Sequence, residues 1–141
     1  MFTQVHYGTK EYNQTVALRN EVLRIPLGLA FSREELPEEK DSFHLAWGEG
    51  TELVACLVLK PIDEQCIKMR QLAVRENCQG KGFGRELVNY AHSFAKGRGF
   101  AEIFLHARET VRRFYEKLGY EGEGDSFTEV GLPHRAMRKK L

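Results

Sequence analysis

Apolar and polar positions change period several times along the 141-residue chain, and each change marks an element. Residues 2–7 alternate weakly and predict a first strand. Between Asn13 and Arg24, Leu18, Val22 and Ile25 fall at i, i+4 and i+7, one apolar stripe of a helix. Pro26 and Gly28 break it. Ser32 followed by Glu35 is a capping-box pattern and predicts the start of a short second helix. Phe43, Leu45 and Trp47 alternate with His44 and Ala46, the mark of a half-buried strand, with Gly48-Glu49-Gly50 as its turn. Leu53 to Leu59 is apolar on both faces and suits a central strand. Ile67 to Val74 predicts the next strand. From Gly84 to Lys96, Leu87, Val88, Ala91, Phe94 and Ala95 keep helical spacing, the strongest helix of the chain. Gly97 and Gly99 end it. Phe100 to Ala107 reads as a strand. Val111, Phe114, Tyr115 and Leu118 make a short amphipathic helix stopped by Gly119. From Tyr120 onward the chain reads as two more strands around Gly131-Leu132-Pro133. This order predicts one α/β domain over residues 1–141 with a mixed sheet.

Composition narrows the function classes. Hydrophobic residues make up 42% and charged residues 29%, an ordinary globular balance. The net charge of +1 argues against a strongly basic nucleic-acid binder and against an acidic disordered tail. That total is a cancellation. Residues 33–52 carry seven acids and two bases, whereas residues 75–119 carry nine bases and five acids. Three cysteines, an odd count without CxxC spacing, argue against a disulfide framework and a metal site. Residues 1–10 show no signal-peptide pattern, and the longest apolar run falls far short of the roughly 20 residues a membrane span needs. The expectation is a reduced, cytoplasmic compartment with no membrane partner.

Five of the thirteen glycines lie between Gly80 and Gly99. The first three belong to Gln79-Gly80-Lys81-Gly82-Phe83-Gly84-Arg85, between a predicted strand and the strongest predicted helix. Glycines at alternate positions let the backbone take positive φ and approach a ligand closely. The first N–H groups of a helix have no internal partner, and its dipole favours an anion there. Such a loop suits a phosphate or pyrophosphate, and Lys81 and Arg85 reinforce that. It is not a Walker loop, which needs GxxxxGK[ST], nor a dinucleotide fingerprint, which needs GxGxxG.

These residues resemble the GNAT superfamily of acyl-CoA-dependent N-acyltransferases. The family pattern, Q/R-x-x-G-x-G/A after a strand, reads here Gln79-Gly80-Lys81-Gly82-Phe83-Gly84 after Leu72-Ala73-Val74. The helix Val111-Arg112-Arg113-Phe114-Tyr115-Glu116-Lys117-Leu118-Gly119-Tyr120 matches a second family element. The tail from Phe127 to His134 looks like the small bacterial ElaA-like branch. The resemblance implies a mostly antiparallel sheet of six to seven strands with about four helices and a splayed central parallel pair. It implies acetyl-CoA as acyl donor, without a metal. Backbone groups of Leu72, Ala73 and Val74 would pair with the pantetheine arm. The amides of Gln79, Gly80, Lys81, Gly82, Phe83, Gly84 and Arg85 would hold the pyrophosphate. A strand bulge near Leu72 would aim an N–H at the thioester carbonyl.

The implied reaction is acetyl transfer to a primary amine, small or peptidic, by direct attack in a ternary complex. Tyr115 is implied as general acid to the departing thiolate, since a phenol of pKa about 10 stays protonated at neutral pH. Its spacing alone also fits a core tyrosine. The acceptor amine must lose a proton, and a carboxylate, a histidine or a water chain would serve. The strand before the loop, Lys68-Met69-Arg70-Gln71, holds no acid, so Glu129 and His134 of the tail are the alternatives, with Glu129 the catalytic candidate. His106 ends a strand where it would bond the cofactor or a loop backbone. The acidic stretch 33–52 would border the acceptor and favour a cationic one. The late strands would allow pairing across a two-fold axis, a homodimer. A non-catalytic CoA-binding or sensing module fits the same loop.

Overall fold

Leu53–Leu59 lies where its two apolar faces put it, inside β3 (Glu52–Pro61), which is buried on both sides in a seven-stranded sheet. The structure is a computed structural model, and it describes residues 1–28, 36–49 and 52–141. The other strands are β1 (Phe2–Val5), β2 (Phe43–Glu49), β4 (Cys66–Val74), β5 (Glu102–Arg108), β6 (Glu121–Glu129) and β7 (Leu132–Lys140). Their order is β1-β2-β3-β4-β5-β7-β6. Only β4 and β5 pair in parallel; every other neighbour is antiparallel.

The helices are α1 (Lys10–Arg19), α2 (Phe83–Gly97) and α3 (Arg112–Lys117), and a π-helical segment, Asn20–Arg24, continues α1. Thr9 caps α1, its Oγ1 accepting from the Tyr12 amide at 3.2 Å. The two faces of the sheet hold separate cores. Under α2 and α3 lie Ile67, Met69, Leu87, Val88, Ala91, Ile103, Leu105, Ala107 and Tyr115. Under α1 lie Val5, Tyr12, Leu18, Ala46, Cys56 and Ala73. Among the described residues no helix is long and apolar enough to cross a membrane.

Two local readings change, and a third lies outside the described residues. The stripe Leu18, Val22, Ile25 assumes an unbroken α-helix. The π-helical segment alters the phase after Arg19, and Ile25 ends 62% exposed in a 3₁₀ turn, Ile25–Leu27. Strand β2 is not half-buried: His44 and Ala46, the side read as polar, are covered by α1. It also runs on through Gly48 and Glu49, while Gly50 lies outside the described residues. Ser32 and Glu35, read as a helix start, lie outside them too; the next described element is a 3₁₀ helix, Leu36–Asp41.

His92 gives the fold an acid sensitivity. Its Nε2 meets the Tyr120 hydroxyl at 2.8 Å. Burial first, and the Lys139 charge second, lower its pKa to about 4. In the unfolded chain it binds a proton near the ordinary 6.5, so the unfolded state takes up more protons as pH falls. Stability is therefore expected to decline from about pH 6.5 down to about 4. Urea titrations across that range should show a flatter slope for His92→Gln, and an unchanged slope would count against this source.

Candidate active site

The parallel pair is short. Strands β4 and β5 are paired only at Cys66–Glu102, Ile67–Ile103 and Lys68–Phe104. Beyond Lys68, β4 stays paired with β3 as far as Val74, and β5 with β7 as far as Arg108. The two strands therefore part, and a cavity of about 820 Å³ opens between them. Inside the gap β4 is bulged. Two residues, Gln71 and Leu72, stand between the pairs Arg70–Val58 and Ala73–Cys56, where β3 has one, Leu57. Gln71 takes φ +55°, a left-handed backbone that a side chain disfavours.

A buried network holds that residue. Arg19 Nη1 donates to Gln71 Oε1 at 2.8 Å. The same guanidinium grips Glu39 with two bonds, of 2.7 and 2.8 Å, and Tyr12 donates to Glu39 Oε1 at 2.7 Å. His44 Nε2 lies 3.0 Å from the Glu39 carbonyl, which only accepts, so Nε2 carries the proton. Burial opposes the Glu39 charge, but the Arg19 bonds and charge outweigh it and hold the carboxyl below its ordinary range. Glu39 belongs to the acidic stretch expected to border an acceptor. The described acids of that stretch do not line the cavity. Glu39 is turned inward to Arg19, Glu38 is exposed away from the cavity, and Glu34 and Glu35 lie outside the described residues.

The glycine loop closes one end of the cavity. Gly80 and Gly82 take φ +77° and +90°, and Gly82 stands at the N-terminus of α2, which no side chain caps. The amides of residues 80–85 donate to no other group among the described residues. Gln79 Nε2 donates to the Val74 carbonyl at 2.9 Å and ties the loop to the end of β4. Leu72, Val74, Gln79, Gly80, Gly82, Phe83, Gly84 and Arg85 line the cavity. Ala73 and Lys81 do not: the Ala73 side chain packs under α1, and Lys81 is exposed outside. Free amides, positive-φ glycines and an uncapped helix start fit a pyrophosphate.

Tyr115 reaches the cavity from α3. It is buried, its ring meets Phe114 and Tyr120 edge-on, and its hydroxyl bonds to no described residue. Burial raises its pKa above the ordinary phenol value.

The tail brings Glu129 and His134 to the same cavity, beside His106. Val130 and Gly131, both at positive φ, form the two-residue turn between β6 and β7 that presents them. Glu129 Oε1 lies 3.1 Å from His106 Nδ1, and Oε2 lies 3.7 Å from His134 Nε2. His134 Nδ1 sits 2.9 Å from the Leu132 carbonyl, so it carries the proton, and Nε2 is left to accept one. His106 thus bonds Glu129, as a satisfied structural histidine would. Burial works against the Glu129 charge, but the His106 bond first, and the nearby His106, His134 and Lys68, outweigh it and hold its pKa below the ordinary value. Sequence reasoning missed Lys68, whose Nζ lies 3.4 Å from His106 Nδ1. Its only signal was its place one residue before the strands part.

Comparison with known proteins agrees with this geometry. Residues 13–120 match the family model described as the acetyltransferase (GNAT) family. Protein YyaT of Bacillus subtilis (strain 168), uncharacterised, is 28% identical over 74 residues, 52% of this chain and 50% of that one. The chain thus matches about half the length of this relative. An acyl-CoA N-acyltransferase of Pseudomonas aeruginosa superposes with a TM-score of 0.86 at 21% identity, covering 99% of this chain and 98% of that one. Escherichia coli ElaA gives 0.87 at 16%, covering 99% of each. A GNAT family acetyltransferase of Elizabethkingia anophelis, solved with acetyl-CoA bound, gives 0.77 at 18%, covering 100% of this chain and 97% of that one. At these identities the likeness is one of fold.

Proposed function

The chain belongs to the GNAT acetyltransferase family, and from that premise we propose that it moves an acetyl group from acetyl-CoA to a primary amine by direct attack. The observation that carries this reading is the gap between β4 and β5, with free amides at one end and a buried phenol facing it. Acetyl-CoA would supply the acyl group activated as a thioester. The amides of residues 79–85 would hold its pyrophosphate, and the unpaired edge of β4 at Leu72–Val74 its pantetheine arm. The bulge sets the Leu72 amide apart from the regular ladder, as a donor to the carbonyl oxygen.

The protons then balance. The acceptor, as an ammonium ion of pKa near 10.4, gives one up before attack. Glu129 with His134 Nε2 takes it and passes it to solvent. Once the C–N bond has formed, the nitrogen gives a second proton to the same pair. Tyr115 hydrogen-bonds the departing sulfur and supplies its proton, and that second proton, relayed through water, replaces it. One C–N bond forms, one C–S bond breaks, and free thiol leaves. A binding module without catalysis would need only the loop. The clustering of Tyr115, Glu129 and His134 on the same cavity favours the enzyme.

Calorimetry is expected to show one acetyl-CoA site per chain, and a thiol-release assay turnover with at least one amine. Gly82→Val forces a β-branched residue to φ +90° and displaces the cradle amides, and should weaken acetyl-CoA binding at least tenfold. Tight binding by that variant would count against the cradle. Binding without thiol release across amines would leave only the sensing module.

A further inference from the structure

The cleft has two faces, and they differ in charge. On β4 and β5, Ile67, Met69, Ile103, Leu105 and Ala107 enter the core under α2. Lys68, Arg70, His106 and Arg108 alternate with them and so face the other way. All four line the cavity. Of the acids in the described residues, Glu129 alone lines it, and both of its oxygens already meet histidines. Arg70 meets no carboxylate among the described residues, and Arg108 only donates to the Leu23 carbonyl at 3.4 Å. Lys68 and Arg70 stand two residues apart on one face of β4; burial, and next the Arg70 charge, lower the Lys68 pKa, against the opposing pull of Glu129.

Elsewhere among the described residues four arginines do meet carboxylates, Arg112, the most exposed of them, beside Glu109 and Glu116. Arg138 bonds Glu123 at 2.7 Å and Glu102 at 2.9 Å. Arg135 meets Glu109 at 3.1 Å, and Arg19 meets Glu39 at 2.7 Å. Like charges drawn together in a half-buried cleft cost energy unless an anion joins them. The phosphates of the acyl donor are not that anion. Their cradle begins after Val74, while Lys68 and Arg70 stand at the closed end of the gap, before the bulge. There the acceptor must approach.

We propose that the acceptor is a small amine that also bears a carboxylate, with Arg70 as its main partner and Lys68 beside it. A guanidinium offers two parallel N–H donors that match a carboxylate. The amine would then face Glu129 and His134, and the two charges of one acceptor would be recognised by opposite signs. A polyamine or a polycationic sugar would meet Lys68 and Arg70 as repulsion. This inference rests on the acetyltransferase reading.

The test uses the full chain, acetyl-CoA and thiol release, with matched acceptors: α-amino acids, their carboxamides, aminophosphonates and polyamines. Amino acids are expected to exceed their carboxamides in kcat/KM by at least about tenfold, as loss of a charged hydrogen bond implies. Arg70→Gln should raise the amino-acid KM by about tenfold or more and move the acetyl-CoA KM by less than twofold. Arg70→Lys should recover part of the loss. Arg70→Glu should shift preference towards the carboxamide. Preference for carboxamides, polyamines or phosphonates would overturn the inference and leave the acetyltransferase intact. No thiol release with any acceptor, despite folded protein, would overturn both.

Discussion

Replacing Glu39 by alanine is expected to cost about 3–5 kcal/mol of stability, the usual consequence of removing one member of a buried ion pair. Arg19 is fully buried and Glu39 nearly so. The substitution strips the guanidinium of two bonds and the Tyr12 hydroxyl of its acceptor. A domain of this size has roughly 7–20 kcal/mol in total, so a large share would go. Urea unfolding at neutral pH measures it. The double variant Arg19→Met with Glu39→Leu removes both charges and should recover most of the loss. Two single losses that simply add would refute the pairing argument. Acid acts on the same bond. The folded pKa of Glu39 lies below the ordinary 4.5, so its contribution is present above that value and is lost as pH falls through the folded pKa.

The largest kinetic effect is expected at Tyr115. Tyr115→Phe keeps the ring against Phe114 and Tyr120 and removes one oxygen that bonds to no described residue. Folding should therefore change little. If the phenol protonates the departing thiolate, single-turnover acetyl transfer should fall by about 10²–10⁴-fold. The acetyl-CoA dissociation constant should stay within about twofold, since the contact belongs to the transition state. Because burial raises the phenol pKa, ionisation of Tyr115 should not reduce the wild-type rate up to the ordinary value of 10. Full single-turnover activity in Tyr115→Phe would remove the residue from the mechanism.

Much of this was legible in the sequence, for identifiable reasons. Helix α2 was clear because Leu87, Val88, Ala91 and Ala95 repeat at helical spacing and are all buried. The loop was clear because Gly80 and Gly82 need φ values that other residues resist. The splayed pair came through the family resemblance, since nothing in Cys66–Val74 announces where a parallel ladder stops. Long-range charge pairing was not legible at all. Arg19 and Glu39 are 20 residues apart, each looks like a surface residue, and only packing of α1 on the sheet brings them together. The same packing buries His44 and Ala46, which alternation alone assigns to water. The π-helical turn after Arg19 left no pattern either, and so Ile25 was placed on the wrong side.

Strand β6 is the outer edge of the sheet beyond β7, and it is exposed along nearly its whole length. An open edge invites a second chain to continue the ladder. This one carries Glu121, Glu123, Asp125 and Glu129 within nine residues, with Gly122 and Gly124 between them and an irregular register against β7. Two copies meeting edge to edge would bring the Glu121 and Asp125 carboxylates of each together along a strand already bent out of line. The acids thus act as a guard on self-association. Salt that screens these charges would be the condition under which the guard weakens.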